Sequence, residues 1–168
     1  ANKNNADDAL INEAKKYKSA EEFINKFEPI YHGTSKENLE ALNKEIKILT
    51  PEEKLKLTST GGGNVGISMS KNPNIAKEYS QALGNQDIGI FYINPNAKVK
   101  TIKGDITTYT GLDFENLQKQ GYDMVVSNGQ EKEIRILSEN AIFNRNKLTD
   151  IWNKAHKEVK PEVKLEEK

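Results

Sequence analysis

Short β-prone runs, separated by amphipathic helical segments, dominate the hydrophobic pattern of this chain. Ile, Val, Phe and Tyr cluster in runs such as 89–93, 122–126 and 133–137. Between such runs, segments such as 35–49 place Leu and Ile at the spacings of three and four that are typical of a helix. Strands and helices do not alternate regularly, as they would in a parallel βαβ fold. The pattern therefore predicts an α+β domain in which helices pack on a small sheet core.

Composition limits both the size of the core and the choice of partners. Hydrophobic residues make up 35% of the 168 residues and charged residues 30%, so one modest core is expected. The 25 Lys and Arg residues balance the 25 Asp and Glu residues, which gives a formal net charge of zero. Because no overall positive field attracts polyanions, nucleic acid is an unfavourable partner for this chain.

The residue types present in the chain exclude several kinds of functional site and disfavour some cellular locations. The chain has no cysteine and only two histidines, His32 and His156. Disulfides, thiolate metal sites and a cysteine nucleophile are therefore excluded, and we expect no metal site. No apolar run reaches the roughly 18 to 20 residues needed to cross a bilayer, and the opening residues lack the pattern of a secretory signal. We expect a soluble protein without membrane contact.

Capping and turn residues divide the chain into three predicted parts. Residues 1–28 form a helical segment, residues 29–145 hold the predicted strands, and residues 146–168 form a helix with a charged tail that we expect to be disordered. Within the middle part, residues 58–66 (TSTGGGNVG) contain three consecutive glycines. Such a segment is a loop, and it either links elements or covers a binding site.

Three segments of the middle part resemble, in order and content, the mono-ADP-ribosyltransferase family. They are residues 31–35 (YHGTS), residues 66–79 with GISMS and IAKEY, and residues 130–134 (QEKEI). In that family a strand with His-Gly or Arg-Gly comes first, a strand with Tyr or Ser-x-Ser precedes a helix, and a last strand begins with a catalytic Glu. The resemblance extends to GIFYINP, GYDMVV and EIRILSENAI and covers about residues 23–143.

The resemblance implies a fold and a reaction. Residues 29–145 would form an ADP-ribosyltransferase-like catalytic domain, in which two small packed β-sheets with flanking helices make an NAD cleft. NAD would be the substrate, with no metal. The enzyme would cleave the bond between nicotinamide and ribose and transfer ADP-ribose to a macromolecular acceptor, for which a protein side chain is favoured.

The resemblance also assigns residues to this chemistry. Cleavage builds positive charge on the ribose, and a fixed carboxylate facing that charge lowers the barrier. Glu133 matches the catalytic Glu. Gly33 would bind the nicotinamide carboxamide through its backbone, His32 would donate to a ribose hydroxyl, and Thr34 belongs to the same cofactor-binding segment. Tyr79 would stack on the nicotinamide ring.

Two positions make the pattern a His-Ser-Glu hybrid of the family's His-Tyr-Glu and Arg-Ser-Glu branches. Ser68 stands where the first branch has a tyrosine and resembles the Ser-x-Ser of the second, so we expect Ser68 to bind NAD and to hold the geometry of Glu133. Glu131 and Glu133 resemble the E-x-E of arginine-modifying members. Strand alternation puts both on one face, where Glu131 would position the acceptor. E-x-E also arises by chance in a chain this rich in charge, so the role of Glu131 stays open.

Two other functions fit the same residues. Water could take the place of the acceptor, which would make the chain an NAD glycohydrolase. The missing tyrosine at Ser68 also suggests a catalytically inactive NAD-binding or protein-interaction module on the same fold. Domains of this kind occur as bacterial toxins, host-directed effectors and phage enzymes, so we expect a monomer in the cytoplasm or delivered into a target cell.

Overall fold

The computed structural model of the chain describes residues 3–48, 66–128 and 133–157. The chain forms two compact units, one made of Ala1–Glu28 with Arg145–Lys168 and the other of Pro29–Asn144. The helices are α1 (Lys3–Ala14), α2 (Ala20–Asn25), α3 (Lys36–Lys44), α4 (Pro73–Ala82), α5 (Gly111–Lys119) and α6 (Arg145–Lys157). The strands are β1 (Pro29–His32), β2 (Ile67–Ser70), β3 (Gly89–Ile93), β4 (Val99–Ile102), β5 (Met124–Ser127), β6 (Glu133–Ile136) and β7 (Ile142–Phe143). The chain is therefore of mixed α+β class, as predicted.

The smaller unit consists of α1, α2 and α6. Its apolar side chains are buried together: Ala14, Phe23, Ile24, Phe27, Leu148, Ile151 and Ala155. Lys26 and Lys16 bond the carboxylate of Glu13 and lower the pKa of this group from 4.5 to about 2. His156 is partly buried, and its ring packs on that of Trp152 at 4.1 Å between centroids.

Helix starts follow the local signals in the sequence closely. The Ser35 side chain accepts a hydrogen bond from the Asn38 N–H at the start of α3. At the start of α4, the Asn72 side chain accepts one from the Asn74 N–H, and Pro73 occupies the first turn. Both helices begin where a polar cap satisfies backbone donors that the helix itself leaves unpaired. The predicted glycine loop falls outside the described residues, except for Gly66.

The seven strands of the larger unit form one sheet in the order β4-β5-β6-β2-β1-β3-β7. The pair β4 and β5 is parallel, and the other neighbours are antiparallel. The expectation of two separate small sheets is wrong, because β2 pairs with β6 on one side and with β1 on the other. Such pairing joins residues far apart in sequence, and the short strands carry no local signal for it.

Apolar side chains cover both faces of this sheet. One cluster is built around Ile30, Met69, Phe91, Met124, Ile134, Ile136, Ala141 and Ile142. The other contains Ile102, Ile106, Phe114, Leu117, Val125 and Leu137. Neighbouring residues on a strand point to opposite faces. The cluster that contains Met124 and the cluster that contains Val125 therefore lie on opposite faces of the sheet. Glu133 and Arg135 of β6 lie on the face of Val125, which pairs directly with Arg135.

Candidate active site

A small cavity lies where β1 and β2 meet. In the described residues these two strands pair at one position, Tyr31 with Ser70, whereas β2 and β6 pair at four. Beside this short ladder is a cavity of about 160 Å³. Its lining comes from both strands, from α4 and from the first residue of β6: Tyr31, His32, Gly33, Ser68, Met69, Ser70, Ile75, Ala76, Tyr79 and Glu133.

The cavity brings together five of the residues that the sequence selected, from distant segments of the chain. His32, Gly33, Ser68, Tyr79 and Glu133 all line it. Two predicted residues are not part of this group. Thr34 does not line the cavity, and Glu131 lies outside the described residues.

His32 is held by the neighbouring strand. Its Nδ1 lies 2.6 Å from the backbone carbonyl oxygen of Ser68. A carbonyl oxygen can only accept, so Nδ1 carries the proton in this contact. In the neutral ring Nε2 is then an acceptor, and in the protonated ring it is a donor. The expected donation from His32 to a ribose hydroxyl therefore requires the protonated ring, whereas the neutral ring would accept the hydroxyl proton.

Gly33 is the position where α4 comes closest to the end of β1. A Cβ atom built on Gly33 would lie 1.9 Å from the carbonyl oxygen of Ala76 and 2.8 Å from Cβ of Tyr79. No side chain fits there, so the packing of α4 requires glycine at this position, independently of the backbone role that the sequence suggested. The same close approach brings Ala76 and Tyr79 to the cavity wall.

Hydrogen bonds of Thr34 connect the segment after β1 to the C-terminal end of α4. Its N–H donates to the Ser80 hydroxyl at 3.0 Å, and its carbonyl oxygen accepts from Asn85 Nδ2 at 3.0 Å. Thr34, Ser80 and Asn85 are all buried. Thr34 therefore has a clear structural role next to the cavity, which sequence reasoning did not anticipate because burial depends on the tertiary fold.

Strand register distinguishes the two serines of the Ser-x-Ser motif. Ser70 lies directly opposite Glu133 and is only 2% exposed, while Ser68 lies opposite Arg135 and is exposed. The Ser70 hydroxyl accepts a hydrogen bond from the Asn72 N–H at 3.0 Å, so the residue is fixed by the turn into α4. Ser70 is thus the serine beside the carboxylate. The alternation in the motif signals a shared face, but only the register shows which serine meets Glu133.

Arg135 adds a positive charge next to this group. Its guanidinium carbon lies 4.8 Å from the centre of the Phe114 ring. Burial lowers the pKa of Arg135, and the charge of Glu133 on the same strand face works in the opposite direction. An arginine remains charged at neutral pH despite such a shift. The site therefore combines a carboxylate and a partly buried cation two residues apart.

Tyr79 forms the outer wall of the cavity. The side chain is 58% exposed although it projects from the same helix as the buried Ala76 and Ser80. An exposed aromatic ring at a cavity rim can stack on a flat ligand, which contributes on the order of 1 kcal/mol. The arrangement offers an aromatic face, an imidazole, a carboxylate and backbone groups around one small space.

The size of the cavity limits what it can enclose. Sites for drug-sized ligands usually measure roughly 300–1,000 Å³, so a cavity of about 160 Å³ has room for only part of a ligand of that size. Within the described ranges, no group of three or more His, Cys, Asp or Glu side chains is placed to hold a metal ion. In that same part of the chain, no helix has the length and apolar character needed to span a bilayer.

Comparison with known proteins adds no relative to this picture. No protein-family model matches the sequence, and no curated protein is significantly similar to it.

Proposed function

We propose that the chain is an NAD-dependent mono-ADP-ribosyltransferase with an ADP-ribosyltransferase-like fold. The observation that carries the proposal is the convergence of His32, Gly33, Ser68, Tyr79 and Glu133 on one cavity. These residues were selected from sequence motifs alone, and they come from segments that are far apart in the sequence. The enclosed space suits the nicotinamide riboside end of NAD, while the rest of the dinucleotide would lie outside the cavity.

In the proposed reaction, the bond between C1′ of the ribose and the nicotinamide nitrogen breaks, and its electron pair leaves with nicotinamide. The Glu133 carboxylate faces the positive charge that develops on the ribose, so its attraction increases towards the transition state. A nucleophilic side chain of an acceptor protein then forms a bond to C1′ and loses its proton. Glu131 keeps its predicted role in positioning that acceptor.

The other groups would orient the dinucleotide. The Gly33 backbone would pair with the carboxamide, Tyr79 would cover the nicotinamide ring, and His32, fixed by Ser68, would bond a ribose hydroxyl. Ser70 would keep Glu133 in place from the adjacent strand, the role first assigned to Ser68. Holding the reactants in this geometry contributes to the rate independently of the carboxylate.

Nicotinamide release from NAD by the purified chain tests the proposal. We expect Glu133→Gln to lower kcat by about 10²-fold or more with little change in KM, as for removal of a group that acts in the transition state. Glu115→Gln is the matched control, because Glu115 lies on α5 and does not line the cavity. No release by the wild-type chain, or equal release by wild type and Glu133→Gln, would contradict the proposal.

Labelled NAD added to cell lysate separates transfer from hydrolysis. A labelled protein band that is absent with Glu133→Gln supports transfer to protein. Nicotinamide release without any labelled band would mean that water is the acceptor. If NAD binds but neither wild type nor variant releases nicotinamide, the chain is an inactive binding module.

A further inference from the structure

Arg135 is a partly buried cation that no anion contacts among the residues that the structure describes. Within residues 3–48, 66–128 and 133–157, its guanidinium makes no hydrogen bond or ion pair, and its buried Nε has no partner. Burial of part of a charged group without such contacts carries a desolvation cost. Of the two arginines in the chain, only Arg135 belongs to the unit that holds the cavity.

The side chain is nevertheless held in one place. The Phe114 ring packs on the guanidinium, and the backbone of Gly66 packs on its stem, since a Cβ atom at Gly66 would lie 3.1 Å from Cδ of Arg135. Gly66 has a φ of +93°, a conformation that favours glycine. A planar donor group fixed in this way loses little entropy when it binds an anion.

The location of Arg135 relates it to the cavity. It follows Glu133 by two residues on the same strand face, a separation of about 6.6 Å along a strand, and it lies opposite Ser68, which lines the cavity. In NAD, one ribose with its 5′ carbon separates the reacting C1′ from the first phosphate. A ribose placed at Glu133 would therefore bring the diphosphate near the row of Ser68 and Arg135.

We propose that Arg135 is the anion-binding residue of the cleft and that it binds the diphosphate of the dinucleotide, an inference that rests on the proposed function. Arginine suits this role because its donors match the geometry of phosphate oxygens. The diphosphate is negatively charged, and a cation beside the cavity would attract it in a chain that has no net charge.

Calorimetric titration tests the proposal, in a Glu133→Gln background so that NAD is not consumed. Adding Arg135→Met should weaken binding of NAD about tenfold or more, while binding of nicotinamide riboside, which has no phosphate, stays within about twofold. Arg135→Lys should restore part of the NAD affinity. Lys98 also lies over an aromatic ring, with its Nζ 4.4 Å from the centre of the Tyr122 ring, but it precedes β4, which β5 and β6 separate from β2 in the sheet. Lys98→Met is therefore the matched control. It should leave both affinities unchanged.

Thermal unfolding without ligand distinguishes binding from a structural role. Because Met keeps the packed stem and removes the partly buried charge, Arg135→Met should unfold at the same or a higher temperature than wild type. A lower melting temperature, together with equal loss of NAD and riboside binding, would overturn the proposal. So would unchanged NAD binding.

A further arm separates failure of this inference from failure of the proposed function. If the Glu133→Gln protein binds neither NAD nor the riboside, the proposed function fails, and inorganic diphosphate then tests Arg135 alone. Diphosphate binding that Arg135→Met abolishes supports an anion site at Arg135. Absence of diphosphate binding overturns it.

Discussion

At the scale of single residues, the cavity wall is made of side chains with very different contributions to folding. Ser70 and Ala76 are buried, and Met69 belongs to the sheet core, so their replacement would disturb the domain as well as the cavity. Tyr79 and Ser68 are exposed and line the cavity. Substitutions at these two positions can therefore report on ligand binding separately from stability.

Tyr79→Ala gives the clearest residue-scale prediction. Loss of about 1 kcal/mol of stacking should raise KM for NAD about fivefold, and Tyr79→Phe should behave like wild type. The free energy of unfolding should change by about 0.5 kcal/mol or less, as for other exposed positions. Leu83→Ala is the control, since Leu83 is 60% exposed at the C-terminal end of α4 and does not line the cavity. An equal rise in KM for Leu83→Ala would argue against stacking.

Some of the site residues could be predicted one by one, and others could not. His32, Gly33, Tyr79 and Glu133 stand in short motifs whose residue types already suggest the chemistry. The role of Arg135 could not be found this way, because an arginine on a strand is ordinary until its neighbours are known. Its significance depends on its contact with the Phe114 ring and on its Nε, which has no hydrogen-bond partner among the described residues. Both features are visible only in the folded chain.

At the scale of elements, the contact between β1 and α4 determines the shape of the cavity. Gly33→Ala should cost about 2 kcal/mol or more of stability, since the added methyl group would overlap the carbonyl oxygen of Ala76. Nicotinamide release should fall with it because α4 carries Tyr79. Chemical denaturation and the release assay measure the two effects.

Gly84→Ala is the control for that substitution. Gly84 has a φ of +75°, but apart from its chain neighbours no atom of the described residues lies within 4 Å of the place where its methyl group would be, so only backbone strain of about 1 kcal/mol is expected. Release of nicotinamide should persist in Gly84→Ala. A Gly33→Ala variant as stable as the wild type would contradict the close packing of the end of β1 against α4.

Features formed by short-range interactions could be predicted from the sequence, whereas those formed by long-range interactions could not. Caps at Ser35 and Asn72 act within three residues and could be located from the sequence. The position of β2 between β1 and β6 depends on pairs such as Tyr31 with Ser70 and Ser70 with Glu133, which are 39 and 63 positions apart. Long-range pairing of this kind is why one sheet was found where two were expected.

At the scale of the whole molecule, the cavity exists only when the larger unit is folded, because its walls come from the end of β1, from β2, from α4 and from Glu133 of β6. A ligand that binds the folded state alone stabilises it by an amount set by its concentration and Kd. NAD at one hundred times its Kd should therefore raise the free energy of unfolding of the Glu133→Gln protein by about 2.7 kcal/mol. Urea titration with and without NAD measures this difference, and an unchanged midpoint at saturating NAD would contradict binding at a folded site.

The most direct test of the central claim is a crystal structure of the Glu133→Gln protein with NAD. We predict density for the nicotinamide riboside in the cavity, with the ring between Gly33 and Tyr79 and ribose hydroxyls within hydrogen-bonding distance of His32 and residue 133. NAD bound elsewhere, or an empty cavity at a saturating NAD concentration, would contradict the claim that these residues act together on one dinucleotide.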